Sequence, residues 1–253
     1  MKKYCNFAPV IFQEIILCVE SSYLLFLFLP GMLFRAGDPL RDAERNDLRT
    51  VVEADASVSL YQAMGLEGMV SQEAFRQAVA GYKKIKDRKR DVLTLIDFSK
   101  PSTEKRLFVF DMKKQKLLFA SVVSHGKNSG ENYATSFSNE YGSYKSSLGF
   151  YLTGTTYQGK NGYSLILDGL EKGVNDKARE RAIVMHGAAY ADPAVASRGG
   201  RLGRSFGCPA VPQKLSRPII DAIKGGNGVM FIYAGNSGLS GTEFYFERQR
   251  FDV

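Results

Sequence analysis

Histidine and cysteine are scarce in this 253-residue chain. There are two of the first, His125 and His186, and three of the second, Cys5, Cys18 and Cys208. Cys5 and Cys18 fall in a segment that reads as a signal region; with one cysteine and two histidines left, a zinc site would have to recruit carboxylates, and no ligand spacing points to one, so neither a metal nor another cofactor is called for. Long apolar runs are also missing. The densest, Tyr23 to Phe34, is too short to cross a bilayer comfortably. No internal repeat, low-complexity segment or nucleic-acid-binding motif is present. The excess of 34 Lys and Arg over 26 Asp and Glu, a formal charge of +8, therefore implies attraction to polyanions without making nucleic acid a partner.

Hydrophobic residues make up 44% of the chain and aromatics 12%, enough to bury a substantial core without disulfides or metals. Lys2 and Lys3 precede the apolar run, which has the size of a secretion-signal core, so residues 1–36 read as a signal peptide or N-terminal anchor. Glu14, Glu20 and the lack of a small-x-small cleavage site fit that reading poorly. On it the protein is exported to the periplasm or cell envelope, and membrane contact is confined to this segment. Cys5 and Cys18 then leave with the signal region, and Cys208 remains as a thiol that cannot be serving an internal disulfide.

Residues 37–90 read as a polar linker followed by a helical segment. Ser71 is a candidate N-cap, and Phe75, Val79, Tyr82 and Ile85 recur at helical spacing as a core-facing stripe. Residues 91–253 change texture to short apolar, β-branched and aromatic runs: 92–98, 106–110, 117–123, 148–153, 163–167, 182–185 and 228–233. The second and third make a hairpin across Lys113 to Gln115, and one helix is expected over 217–224. The fold class expected is mainly β (α+β), an antiparallel sandwich or barrel with a few peripheral helices and an N-terminal helical segment.

The stretch from Arg201 to Pro212 is too rich in Gly and Pro for an ordinary core strand and reads as a rigid, exposed turn carrying Cys208. Gly207 before the thiol lets a carbonyl approach the backbone, where the N–H groups of Gly207 and Cys208 could face an oxyanion. A cysteine nucleophile also needs a proton acceptor. His186 ends an apolar strand and is followed by Gly187; His125 stands in an equivalent place before Gly126. Either alone reads as readily as a structural histidine.

His186-Gly187 followed by Gly203-Arg204-Ser205-Phe206-Gly207-Cys208-Pro209-Ala210-Val211 resembles the signature of the L,D-transpeptidase catalytic domain, specifically the murein L,D-transpeptidase branch. Ser124 to Gly130, Phe137-Ser138-Asn139 and Ser146 to Gly149 extend the likeness, which runs from about Leu95 to Tyr233. The resemblance implies an enzyme with Cys208 as nucleophile, His186 as base and peptidoglycan stem peptides as substrate. It would form 3–3 cross-links through a thioester with release of D-alanine; the alternatives are an L,D-carboxypeptidase or endopeptidase and, further off, a non-catalytic wall-binding protein. The wider family has histidine immediately before Gly-Cys, and here that residue is Phe206. The oxyanion then falls to backbone N–H groups, and His125 or a tyrosine is a candidate for a substrate-side polar contact. Arg201 and Arg204 are candidates for holding substrate carboxylates, with ordinary surface arginines as the alternative, and Ser205 for orienting the loop or the histidine.

Overall fold

A computed structural model describes residues 56–235. The signal or anchor segment 1–36, its two cysteines and residues 37–55 of the expected 37–90 linker and helical segment lie outside the described residues, as does 236–253. Helix α1 covers residues 56–63, and α2, Gln72–Lys84, follows. The Ser71 hydroxyl caps α2 by accepting from the Ala74 N–H at 3.3 Å, Glu73 lies in the first turn, and Lys83 and Lys84 lie in the last, where each charge complements the helix dipole.

Eight strands form one sheet: β1 (Val92–Asp97), β2 (Leu107–Asp111), β3 (Lys116–Ser121), β4 (Gly149–Gly159), β5 (Gly162–Gly169), β6 (Val184–Ala188), β7 (Ala210–Pro212) and β8 (Val229–Tyr233). Their order is β3-β2-β1-β8-β4-β5-β6-β7. The β1–β8 and β6–β7 pairings are parallel and the others antiparallel. Short helices α3 (Pro193–Gly199) and α4 (Gln213–Ile223) lie between β6 and β8 in the chain. No helix among the described residues is long and apolar enough to cross a membrane.

Both faces of the central strands are covered, which explains why they read as continuous apolar runs and not as alternating ones. Leu93, Leu95, Phe108, Phe110, Phe150 and Phe231 pack with Phe75, Val79 and Tyr82 of α2. The intervening residues Ile96, Leu107, Val109, Tyr151, Met230 and Ile232 pack with Ile219, Ile220 and Ile223 of α4. The expected helical stripe is thus a core stripe. The fold class stands as expected, with parallel pairs added at two places. Two elements were not legible in the sequence: β7, which begins straight after Pro209 and ends at Pro212, and the first turn of α4, which starts at Gln213 and carries Pro218 inside it. Proline argues against both assignments, yet tertiary pairing and packing override it.

Beyond β3 the chain crosses to the opposite margin of the sheet. Ser124 forms an antiparallel bridge with Ala210 and Gly126 a parallel bridge with Ser205, so the sheet is nearly closed into a barrel around the loop before β7.

Gly81 is where α2 meets the sheet. A methyl group at this position would overlap the Phe150 ring, which is fully buried and stacked on Phe231 with centroids 4.2 Å apart. Gly81→Ala should gain about 1 kcal/mol of helix propensity and lose about 1–3 kcal/mol to overpacking against a ring with nowhere to go. The expected net result is a lower urea midpoint; a raised midpoint would show that the ring yields freely.

Candidate functional site

Cys208 sits in the loop two residues before β7. In the parallel β6–β7 pairing His186 is level with Ala210, so the same register carried back brings Cys208 to Val184. The contacts agree: the Val184 N–H points at Sγ at 3.5 Å, and Sγ lies 3.7 Å from the Ala182 carbonyl. Cys208 and His186 therefore share one margin of the sheet, separated by two residues of β6, about 6.6 Å of strand. The thiol's hydrogen-bond partners are Val184 and Ala182, and His186 is not among them.

The His186 ring has a defined tautomer. Nδ1 lies 3.0 Å from the Gly187 carbonyl, which can only accept, so Nδ1 carries the proton and Nε2 keeps its lone pair. Burial lowers the pKa of His186, against a smaller opposing effect of that hydrogen bond. Burial likewise raises that of Cys208, opposed by the Val184 N–H, by the charge of Arg181 and by the thiol's own backbone N–H. The resting pair is thus a neutral imidazole and a protonated thiol.

The loop itself is fixed by Ser205. Its hydroxyl donates to the Cys208 carbonyl at 2.6 Å and accepts from the Gly207 N–H at 3.0 Å. Its backbone N–H donates to the His125 carbonyl at 2.9 Å, and its carbonyl accepts from the Lys127 N–H at 2.7 Å. Of the two amides expected to face an oxyanion, that of Gly207 is already engaged. Gly207 is required here on two counts. Its φ is +125°, and a Cβ would sit 2.8 Å from the Lys145 carbonyl oxygen and 3.0 Å from Ile183 Cδ1. Ser146, fully buried, completes the belt by donating to the Gly207 carbonyl at 3.0 Å and accepting from the Gly126 N–H at 3.1 Å.

His125 is brought against this loop, but its ring faces inward. Arg106 Nη2 donates to Nδ1 at 2.8 Å, so Nε2 bears the proton and gives it to the Gly130 carbonyl at 3.3 Å. Only 1% of His125 is accessible, and a peptide would have to displace these partners to reach the ring. Burial, reinforced by the Arg106 charge, pushes its pKa down to about 4. Arg106 is itself fully buried, donates to the Val123 and Lys100 carbonyls, and packs over the Phe98 ring; burial lowers its pKa to about 9.

The two candidate carboxylate-binding arginines already hold a carboxylate. Arg201 Nε and Arg204 Nη1 lie 2.8 and 2.7 Å from the two oxygens of Glu131, and Arg204 also donates to the Lys127 and Gly130 carbonyls.

Arg181 was not anticipated. It donates to the Ser138 and Lys145 carbonyls at 2.8 and 2.7 Å and to the hydroxyls of Ser147 and Ser143. Its Nη2 lies 3.5 Å from where a Gly207 Cβ would be, which puts a fixed positive charge beside the cysteine loop. In sequence it is one arginine ahead of an apolar strand, with nothing to separate it from a surface residue.

Against known proteins, residues 66–233 match the family described as L,D-transpeptidase catalytic domain. No curated protein matches the chain. Among solved structures the chain is similar to an L,D-transpeptidase from Mycobacterium smegmatis, at 13% identity and TM-score 0.36, over 57% of this chain and 59% of that one. It is similar to the helical cell shape determining protein from Campylobacter jejuni at 13% and 0.39, over 62% and 56%. For an L,D-transpeptidase from Stackebrandtia nassauensis the values are 13% and 0.34, over 72% and 77%. The chain therefore spans less than two thirds of the length of the first two.

Two outcomes are expected from the electrostatics. Alkylation of Cys208 by iodoacetamide should move to higher pH in Arg181→Gln and less so in Arg181→Lys, which keeps the charge; equal profiles in all three proteins would remove Arg181 from the thiol's environment. A histidine held at about 4 in the fold and near 6.5 when unfolded binds its proton only in the unfolded chain between those values. Stability should then fall as pH drops from 6.5 to 4, by on the order of 3 kcal/mol from this group. Urea unfolding of His125→Gln should show a flatter slope over that range; an unchanged slope would assign the acid sensitivity elsewhere.

Proposed function

This chain belongs to the L,D-transpeptidase catalytic domain family, and from that premise we propose that it is a cysteine acyltransferase of the cell envelope that cross-links peptidoglycan stem peptides through Cys208. The observation that carries the reading is a thiol clamped in the Ser205 loop, at the same sheet margin as an imidazole whose Nε2 is free to accept a proton.

In this reading the Cys208 thiol gives its proton to His186 Nε2, a contact that tightens when substrate fills the site. The sulfur then attacks the carbonyl of the third, L-configured centre of a stem tetrapeptide. The tetrahedral oxyanion is stabilised by the Cys208 N–H, since that of Gly207 is tied to Ser205. Collapse breaks the amide bond to the terminal D-alanine, whose nitrogen leaves with the proton held by His186. The peptide remains as a thioester. An amine from a neighbouring stem attacks it, passing its proton to His186, and expulsion of the sulfur yields a 3–3 cross-link and the starting thiol. Residues 1–36 serve export as signal or anchor. Arg181 eases the formation of thiolate in a site whose burial opposes it.

The test is mass spectrometry of the purified protein incubated with tetrapeptide muropeptides. The expected result is a thioester on Cys208, loss of D-alanine and dimer formation, all abolished in Cys208→Ala. Monomeric tripeptide without dimer would make the protein a carboxypeptidase, and an adduct on another residue would remove the mechanism. Because burial lowers the His186 pKa, the base-competent neutral ring persists below pH 6.5. The acid limb of kcat/KM should lie below that value, and His186→Ala should lose more activity than His125→Ala.

A further inference from the structure

With Arg201 and Arg204 both paired to Glu131, the cation left to meet a substrate lies elsewhere on the lip of the site. Lys127 is exposed, and among the described residues its ammonium makes no ion pair. It stands instead over two aromatic rings, 4.3 Å from the Tyr144 centroid and 4.8 Å from that of Phe206. Those rings are 4.9 Å apart and tilted at 48°. Both are open to solvent, Phe206 at 66% and Tyr144 at 42%, although burying them would release water from a large apolar area.

The three residues come from three different loops, which backbone hydrogen bonds hold at Lys127 and Tyr144 and the Ser205 hydroxyl holds beside Phe206. The Lys127 backbone donates to the Ser205 carbonyl and accepts from Arg204. The Tyr144 carbonyl accepts from the Asn128 N–H, and Tyr144 is held at φ +55°, a left-handed conformation that costs a tyrosine energy and persists only when its surroundings impose it. Phe206 is two residues from Cys208, a span of at most about 7 Å. The position where the wider family carries a histidine is here the floor of an aromatic, cationic lip.

Resting on the function proposed above, we infer that Lys127, Tyr144 and Phe206 form a subsite for the free C-terminal carboxylate of the peptide whose carbonyl Cys208 attacks. In a stem tetrapeptide that carboxylate belongs to the residue immediately after the bond that breaks, so it lies one residue from the sulfur. The ammonium pairs with the carboxylate, and the two ring faces cover the methyl and backbone of the same residue. The lip thereby distinguishes a free peptide terminus from an extended or amidated one.

The experiment uses Cys208→Ala protein, which binds without turnover, and isothermal titration with an N-acetylated stem tetrapeptide and with its C-terminal carboxamide. The acid is expected to bind about 5-fold more tightly than the amide, the scale of one partly exposed charge pair. Lys127→Met in the same background keeps a flexible side chain over the rings and should bring the ratio to about 1; Lys127→Arg should restore the preference. Among the described residues Lys127 makes only ring contacts through its side chain, and unchanged thermal melts will verify that the variants fold. Equal binding of acid and amide, a preference that survives Lys127→Met, or no binding of either peptide would each overturn the subsite. Acylation of the wild-type protein is followed separately by mass spectrometry. A Lys127-dependent acid preference without any Cys208 adduct would uphold the subsite and remove the enzymatic reading instead.

Discussion

The crossing of the chain from β3 to the far margin of the sheet is the constraint on which the site depends. The Ser124 N–H donates to the Ala210 carbonyl at 2.8 Å, that of Ser205 to His125 at 2.9 Å and that of Lys127 to Ser205 at 2.7 Å. These backbone bonds hold together two segments that are some eighty positions apart in sequence. Without them the loop carrying Cys208 would be an ordinary connection ahead of a three-residue edge strand. With them it is braced on one side by β6 and on the other by residues 124–127. The buried Arg106 supports this crossing from within. It gathers the carbonyls of Lys100 and Val123 and the ring of His125, so a single guanidinium satisfies backbone groups that would otherwise be stranded away from water.

Burial shifts four titratable groups around the site toward their neutral forms, without discharging Arg106, whose pKa of about 9 leaves it a cation at neutral pH. It raises Cys208, lowers His186, His125 and Arg106, and so favours the neutral form in each case. For His125 both nitrogens are also occupied, which makes it a brace. For His186, Nε2 has no hydrogen-bond partner among the described residues, which suits it to the proton-accepting role proposed for it. The difference between the two histidines is therefore one of hydrogen-bond partners. Arg181 is a charge close enough to the cysteine loop to work against desolvation, and four acceptors keep it there.

Short polar side chains do much of the remaining positioning. Ser205 and Ser146 satisfy backbone groups of the Gly207–Cys208 turn, and Gly207 permits the close approach of the Lys145 carbonyl that any Cβ would prevent. Phe206 is the one member of the turn that faces solvent. The loop can thus exchange a polar residue for an aromatic one at this position without disturbing the hydrogen bonds that shape it.

Much of this protein was fixed locally and could be read in order. The Ser71 cap and the stripe Phe75, Val79, Tyr82 and Ile85 specify α2, because capping and helical periodicity act within a few residues. The apolar runs specify the strands, because a two-sided core requires them. The Gly-Cys turn with His-Gly upstream carries the resemblance to the L,D-transpeptidase catalytic domain family to which the chain belongs, because such a motif lies in short stretches of sequence. Tertiary structure alone decided the rest. Strand β7 exists because β6 offers it a parallel partner, despite flanking prolines. Glu131 pairs with both Arg201 and Arg204, Arg106 turns His125 inward, Arg181 arrives beside the Cys208 loop, and Lys127 arrives against Phe206 from a loop that sequence gives no reason to join. Each of those outcomes depends on which charge or lone pair finds a partner across the fold, and that is settled by distance in space, which the order of residues does not state.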